Sequence, residues 1–234
     1  MPRDSRRGWI IGVVAGATAV VLVIAGLLVW SLSGPGPAYT GLPVCDELLT
    51  SDALAEIPGA EGAEIDGEEF VGDEPSDGGY ESYTDCFAAP AGSGGGEQLL
   101  YVSARLFPVS TADDGYAELQ RRIDDTRRPV DEALGDATAG TGVAVEGGFT
   151  ADLEVRELPV EGAGYAVSYS GADWGEGNVE GEEAWSTAEF FTRNVMVSII
   201  YSGTPGMEPA ERLDAVSDAA VLVEDSIEAA GETV

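Results

Sequence analysis

The stretch EEAWSTAEFFTRNVMVSIIYSG, residues 182–203, decides the fold class. Two runs rich in aromatic and β-branched residues flank the polar pair Arg193-Asn194, so the stretch predicts a β-hairpin turning there. On its second arm Val195, Val197, Ile199 and Tyr201 step by two and share a face. A one-residue slip would carry all four to the opposite face, so burying them fixes the register. The same alternation recurs upstream. In EQLLYVSARLF, residues 97–107, Leu100, Val102, Ala104 and Leu106 fall on one side. YESYTDCFA (80–88), ADLEVREL (151–158) and GYAVSYS (164–170) are further strand candidates.

Helical periodicity frames these strands. CDELLTSDALAEIPG, residues 45–59, has an apolar side of Leu48, Leu49, Leu54 and Ile57, a cap at Thr50 or Ser51, and a stop at Pro58-Gly59. STADDGYAELQRRIDDTRR, residues 110–128, predicts a helix capped by Ser110 or Thr111 and ending at Arg127-Arg128, with Tyr116, Leu119 and Ile123 buried. The last helix starts at Pro209 and stops before Gly231. Its stripe of Leu213, Val216, Ala220, Val223, Ile227 and Ala230 is widened by Val221 and Leu222, which fits packing on the domain's own sheet better than a coiled coil. EGAEIDGEEFVGDEPSDGGYE, residues 61–81, is acidic throughout and reads as a mobile loop. The expected fold is α+β, a mainly antiparallel sheet with helices packed on one face.

The chain has 234 residues, with 11 basic and 43 acidic side chains, no His, and a net charge of −32. Such a charge excludes nucleic acid as a natural partner, because phosphate contacts need clustered Lys or Arg. It favours cationic partners. Trp9–Trp30 is a 22-residue run without a charge. As a helix it would reach about 33 Å, the thickness of a bilayer core. Arg3, Arg6 and Arg7 precede it and the next positive residue is Arg105, so the N-terminus is expected inside and the rest outside. The competing reading is a cleaved signal peptide, whose apolar core is usually about 7–15 residues. The layout is then residues 1–8 in the cytoplasm, 9–30 as a signal anchor, 31–41 as a linker, 42–230 as the extracytoplasmic domain and 231–234 as a tail. Gly12 and Gly16 form a GxxxG pair that would support a weak homodimer.

Leu42-Pro43-Val44 before Cys45 is not the small-residue run that lipidation requires. The chain has one other cysteine, Cys86, and two cysteines in an oxidising compartment most simply pair. A catalytic thiol would need a neighbouring base, and there is no His to supply it.

CDELLT, then Cys86, then GEEAW and TRNVMVSIIYSG with a final helix resemble an actinobacterial cell-envelope domain of unknown function found in lipoproteins and membrane proteins. More distantly, the plan is similar to the extracellular sensor domain of a mycobacterial receptor Ser/Thr kinase. The resemblance covers about residues 42–230. Relatives often carry Cys-x-Trp at the second cysteine, where this chain has Cys86-Phe87-Ala88, and many carry a lipobox that this chain lacks. The resemblance implies an architecture and an envelope location, and it brings no catalytic residues.

Without His there is no Ser-His-Asp or Cys-His arrangement and no usual zinc ligand set. No phosphate-binding loop or calcium-loop pattern is present, and the Gly-rich 91–100 segment precedes a strand, so no cofactor is expected. Weak calcium or magnesium association with 61–81 would follow from charge alone. A pair of carboxylates could serve a glycosidase, but a working acid must be buried with a raised pKa. The candidate binding residues are Trp174 with Asp173 and Glu176, in GADWGEGNVEGEE, where an exposed indole would stack on a sugar or cation. Alternatively Trp174 packs back on the sheet. Arg121, Arg122, Arg127 and Arg128 cluster on one helix, where spacing offers them Glu118, Asp125 and Asp124 as partners on a solvated face.

The reading from sequence is a membrane-anchored, outward-facing binding or sensing module of the cell envelope, non-catalytic, meeting an envelope protein or cationic ligand. The alternatives are a carboxylate-dependent hydrolase of wall polysaccharide and a passive structural protein.

Overall fold

A computed structural model describes residues 36–72, 76, 78–92, 98–145, 149–173 and 183–233. The expected membrane span Trp9–Trp30, with Gly12 and Gly16, lies outside the described residues. Among the described residues no helix is long and apolar enough to cross a membrane. The compact unit runs over Pro37–Val234.

Eight strands form one antiparallel sheet: β2 (Glu64–Val71), β3 (Ser82–Ala89), β4 (Leu100–Leu106), β5 (Ala139–Val145), β6 (Phe149–Glu157), β7 (Gly164–Asp173), β8 (Glu183–Thr192) and β9 (Val195–Tyr201). The spatial order is β2-β3-β4-β9-β8-β7-β6-β5. A separate two-stranded ribbon joins β1 (Tyr39–Gly41) to β10 (Glu232–Thr233). Segments assigned from sequence to linker and tail thereby pair with each other. Among the described residues four α-helices complete the unit: α1 (Cys45–Leu48), α2 (Ser51–Glu56), α3 (Ala117–Leu134) and α4 (Pro209–Ala230).

The hairpin at 182–203 forms as its pattern dictates. Thr192 pairs with Val195 across the turn, and Val195, Val197, Ile199 and Tyr201 are all fully buried. Arg193 holds a positive φ of 50° at that turn. Asn194 is buried and clamps three segments. Its side-chain oxygen accepts from the Tyr39 amide at 2.7 Å, and its amide donates to the Tyr39 and Phe107 carbonyls at 3.0 and 2.7 Å. Leu100, Val102, Ala104 and Leu106 continue the same buried face.

Helices cover both faces of the sheet, not one. α4 packs against β7, β8 and β9, where Ala166, Ser168, Ser186 and Ala188 present small side chains that let it approach closely. α3 packs on the opposite face with Leu119, Ile123 and Val130 over Phe149, Leu153, Val155, Tyr165 and Val167. The one-face expectation fails because β7 and β8 bury side chains on both sides, Ala166, Ala188 and Phe190 toward α4 and Tyr165, Val167 and Phe191 on the other side. Each side needs its own cover.

Three local expectations are also corrected. The 110–128 segment is a 3-10 turn at Val109–Asp114, then a break at Gly115 and Tyr116, both at positive φ, and only then α3. α3 continues through Pro129 to Leu134. A proline inside a helix costs about 3 kcal/mol, and burial of Val130 on the β5–β6 side offsets that cost. Third, most of the acidic 61–71 stretch is strand β2, paired with β3 over eight positions. It is the sheet's edge, and exposed acids at an edge discourage further strand addition.

The Cys45–Cys86 disulfide forms, with Cα atoms 5.5 Å apart, and ties α1 to β3. Gly67, opposite Cys86, makes room: a Cβ there would strike the Cys45 sulfur and the Asp85 carbonyl.

Candidate functional site

On the α3 face, the sheet is only half covered. α3 lies over β5 to β8, and among the described residues no helix packs on this face over β2, β3, β4 and β9. The open half is ordered by register. Paired residues of an antiparallel sheet share a face, so the pairings line up Glu68, Asp85, Ser103, Ser198, Glu189, Tyr165 and Glu157 in one transverse polar row. A flanking row holds Asp66, Phe87, Tyr101, Ile200 and Thr187. The other flank holds Phe70, Tyr83, Arg105, Met196 and Phe191.

Aromatic rings stack in pairs along this face. Phe70 lies on Tyr83 at 5.5 Å, Phe87 on Tyr101 at 4.9 Å, and Tyr169 on Trp185 at 4.9 Å. Phe70 and Ile200 are exposed, at 46% and 39%.

Two carboxylates of the row live in different surroundings. Asp85 is gripped by Arg105 in a two-point ion pair at 2.7 and 3.2 Å and accepts from the Tyr101 hydroxyl at 3.2 Å. The Arg105 guanidinium in turn lies over the rings of Tyr83 and Tyr80, at 4.6 and 5.2 Å. Glu189 has no such cation. Its carboxylate accepts one bond, from the Ser198 hydroxyl at 2.8 Å, at the margin of the α3 cover. Desolvation pushes its pKa up to about 7, against the lowering effect of the Ser198 bond. Burial raises its neighbour Tyr165 to about 12.

Of the residues nominated from sequence, Cys45 and Cys86 are joined. Asp173 ends β7, while Trp174 and Glu176 lie outside the described residues. The arginine cluster is self-paired as its spacing implies: Arg121 bonds Glu118 and Asp125, and Arg122 bonds Glu118. Arg128 takes Asp125 in place of Asp124, and Arg127 reaches Asp131 and Glu157. Among the described residues no three acidic or cysteine side chains converge as a metal ligand set. On β2 the acids split between the two faces of the strand. Glu189 escaped sequence reasoning. The signal was present in TAEFFT, where a charged residue sits between Ala188 and Phe190 on an arm that otherwise alternates toward a core.

No protein-family profile matches the chain, and no curated protein sequence matches it. Among solved structures, the chain is similar to the extracellular domain of PknH from Mycobacterium tuberculosis, at 16% identity and a TM-score of 0.45, over 84% of this chain and 100% of that one.

Proposed function

We propose that the chain is a non-catalytic, outward-facing binding or sensing module of the cell envelope, held by residues 9–30, whose ligand docks on the open half of the sheet. The observation that carries this reading is the uncovered face itself. Stacked aromatic pairs flank a row that holds an unpaired carboxylate, Glu189, and the acids Asp66 and Glu68 lie toward its rim. Acids beside aromatic rings are the chemistry that recognises a cation, so the partner is an Arg- or Lys-bearing segment or a small cationic ligand. The disulfide supports an oxidising compartment, and the arginines before the apolar span support the orientation. The test is cross-linking in intact cells with mass spectrometry, followed by a salt titration of the captured partner. Binding should weaken as salt rises toward about 0.5 M, where screening shrinks to a few ångströms. It should also fall when Ile200, exposed on that face, is changed to Arg. A partner indifferent to both would overturn the reading.

One observation favours a second reading. Glu189 has the raised pKa that a general acid needs. A glycosidase requires a second carboxylate about 5–9.5 Å away. Asp85 lies three strands off, about 14 Å at the sheet's spacing, and is locked by Arg105. Wall-glycan turnover abolished by Glu189→Gln would establish the hydrolase.

A further inference from the structure

The open half of the sheet carries its free charge at two separated ends. At the β2 edge Asp66 and Glu68 are exposed on this face, and neither is ion-paired among the described residues. At the α3 margin, on β8, Glu189 is partly exposed and its carboxylate takes only the Ser198 hydroxyl. Between these ends Asp85 is cancelled by Arg105, the one cation on β2, β3, β4 and β9. The middle is also apolar. The Phe87–Tyr101 stack lies beside the polar row on β3 and β4, and exposed Ile200 follows on β9.

Register turns this pattern into a ruler. Glu68 and Glu189 belong to the same transverse row, and neighbouring strands stand about 4.8 Å apart. The order β2-β3-β4-β9-β8 makes four such intervals, so the two ends lie roughly 19 Å apart. An extended peptide rises about 3.3 Å per residue and turns alternate side chains to one side. Its positions i and i+6 therefore face the sheet at roughly 20 Å, the separation of the two ends. Position i+2 then falls over the Phe87–Tyr101 stack and i+4 beside Ile200. Cations spaced more closely would leave one end uncompensated. A second copy of this chain would bring a net charge of −32 against an acidic face and be repelled.

Resting on the reading of this face as a cation-binding surface, we propose that its partner is an extended peptide segment that crosses the strands with two basic side chains six positions apart. One is held by Asp66 and Glu68, the other by Glu189, and apolar or aromatic side chains lie between them. Each carboxylate gains the counter-charge that the fold does not supply, and the contact is charge-assisted at both ends. The rings between the ends give the segment an apolar bed, so charge sets its register and stacking adds to its hold.

The test uses the full-length chain in neutral detergent micelles at pH 8, where Glu189 is ionised, and at about 20 mM salt. Two end-capped peptides of one composition are titrated by calorimetry: RGYGYGR, with its arginines six positions apart, and RGRGYGY, with them two apart. The first should bind with a Kd of about 0.1 mM or tighter, at least about tenfold tighter than the second. Glu189→Gln and, separately, Asp66→Asn combined with Glu68→Gln should each weaken RGYGYGR at least about fivefold and bring the two peptides to nearly equal affinity. Asp218→Asn removes one exposed acid from α4, on the other face, and should leave both affinities unchanged. Equal binding of the two peptides, weakened by salt and by Ile200→Arg, would keep the cation-binding face and overturn its two-ended geometry. No binding of either peptide would overturn both. A dimer that Ile200→Arg dissociates and neither peptide displaces would assign the face to a second copy and overturn the proposal.

Discussion

Glu189 should make the stability of this domain depend on pH, in a direction opposite to that of an ordinary surface carboxylate. In the folded chain its pKa is about 7, against a reference of 4.5. Between those values the folded state holds a proton that the unfolded state has released, so stability falls as pH rises. The contribution is complete below about pH 4.5 and lost above about pH 7. A difference of about 2.5 pKa units corresponds to about 3 kcal/mol, an upper figure for a side chain that is partly exposed. Glu189→Gln keeps an acceptor for the Ser198 hydroxyl and cannot ionise. The variant should match the wild type near pH 4.5 and exceed it by up to about 3 kcal/mol at pH 8, or roughly 6–12 °C in Tm for a unit of this size. Urea denaturation of residues 36–234 at both pH values measures the difference directly, since other titrating groups cancel between the two proteins. If the gap between variant and wild type is the same at pH 4.5 and pH 8, Glu189 is not held in a desolvating site and the account of the polar row is wrong.

Two further outcomes test the scaffold. Cys45→Ser opens a link spanning 41 positions and should destabilise the domain by about 4 kcal/mol, read by denaturation beside an alkylation assay in which wild-type thiols label only after reduction. Asn194→Ala strands the Tyr39 amide and the Tyr39 and Phe107 carbonyls, and should cost about 2–4 kcal/mol and speed hydrogen exchange at Tyr39; Asn194→Asp should spare the bond from the Tyr39 amide and lose the two amide donations.

Patterns that repeat within a short window were legible from sequence. The hairpin at Arg193-Asn194, the strand through Val102 and the helix from Pro209 to Ala230 all follow from local periodicity and caps, and the two cysteines paired as their number implied. Features set by distant neighbours were not legible. Composition argued for a loop at 64–71, and eight pairings with β3 outweighed it. Arg127-Arg128 read as a helix end, but α3 runs on through Pro129 with Val130 buried. Strand β5, with Gly140 and Gly142 in it, has almost no apolar alternation to find and owes its place to β6. Glu189 is ordinary in a sequence of 43 acids, and only the register that sets Ser198 and Tyr165 beside it makes it unusual.

The β1–β10 ribbon sets where the chain enters and leaves the domain. Tyr39 pairs with Thr233, so the two ends of the domain emerge side by side. A short peptide bridging them would close the backbone into a ring that could be reopened at a surface turn, yielding a permuted protein with the same sheet. The whole unit could likewise be spliced into a loop of a host protein with little disturbance to either partner. A reporter fused after residue 233 would stand at the point where the chain enters the domain, crowding whatever precedes it.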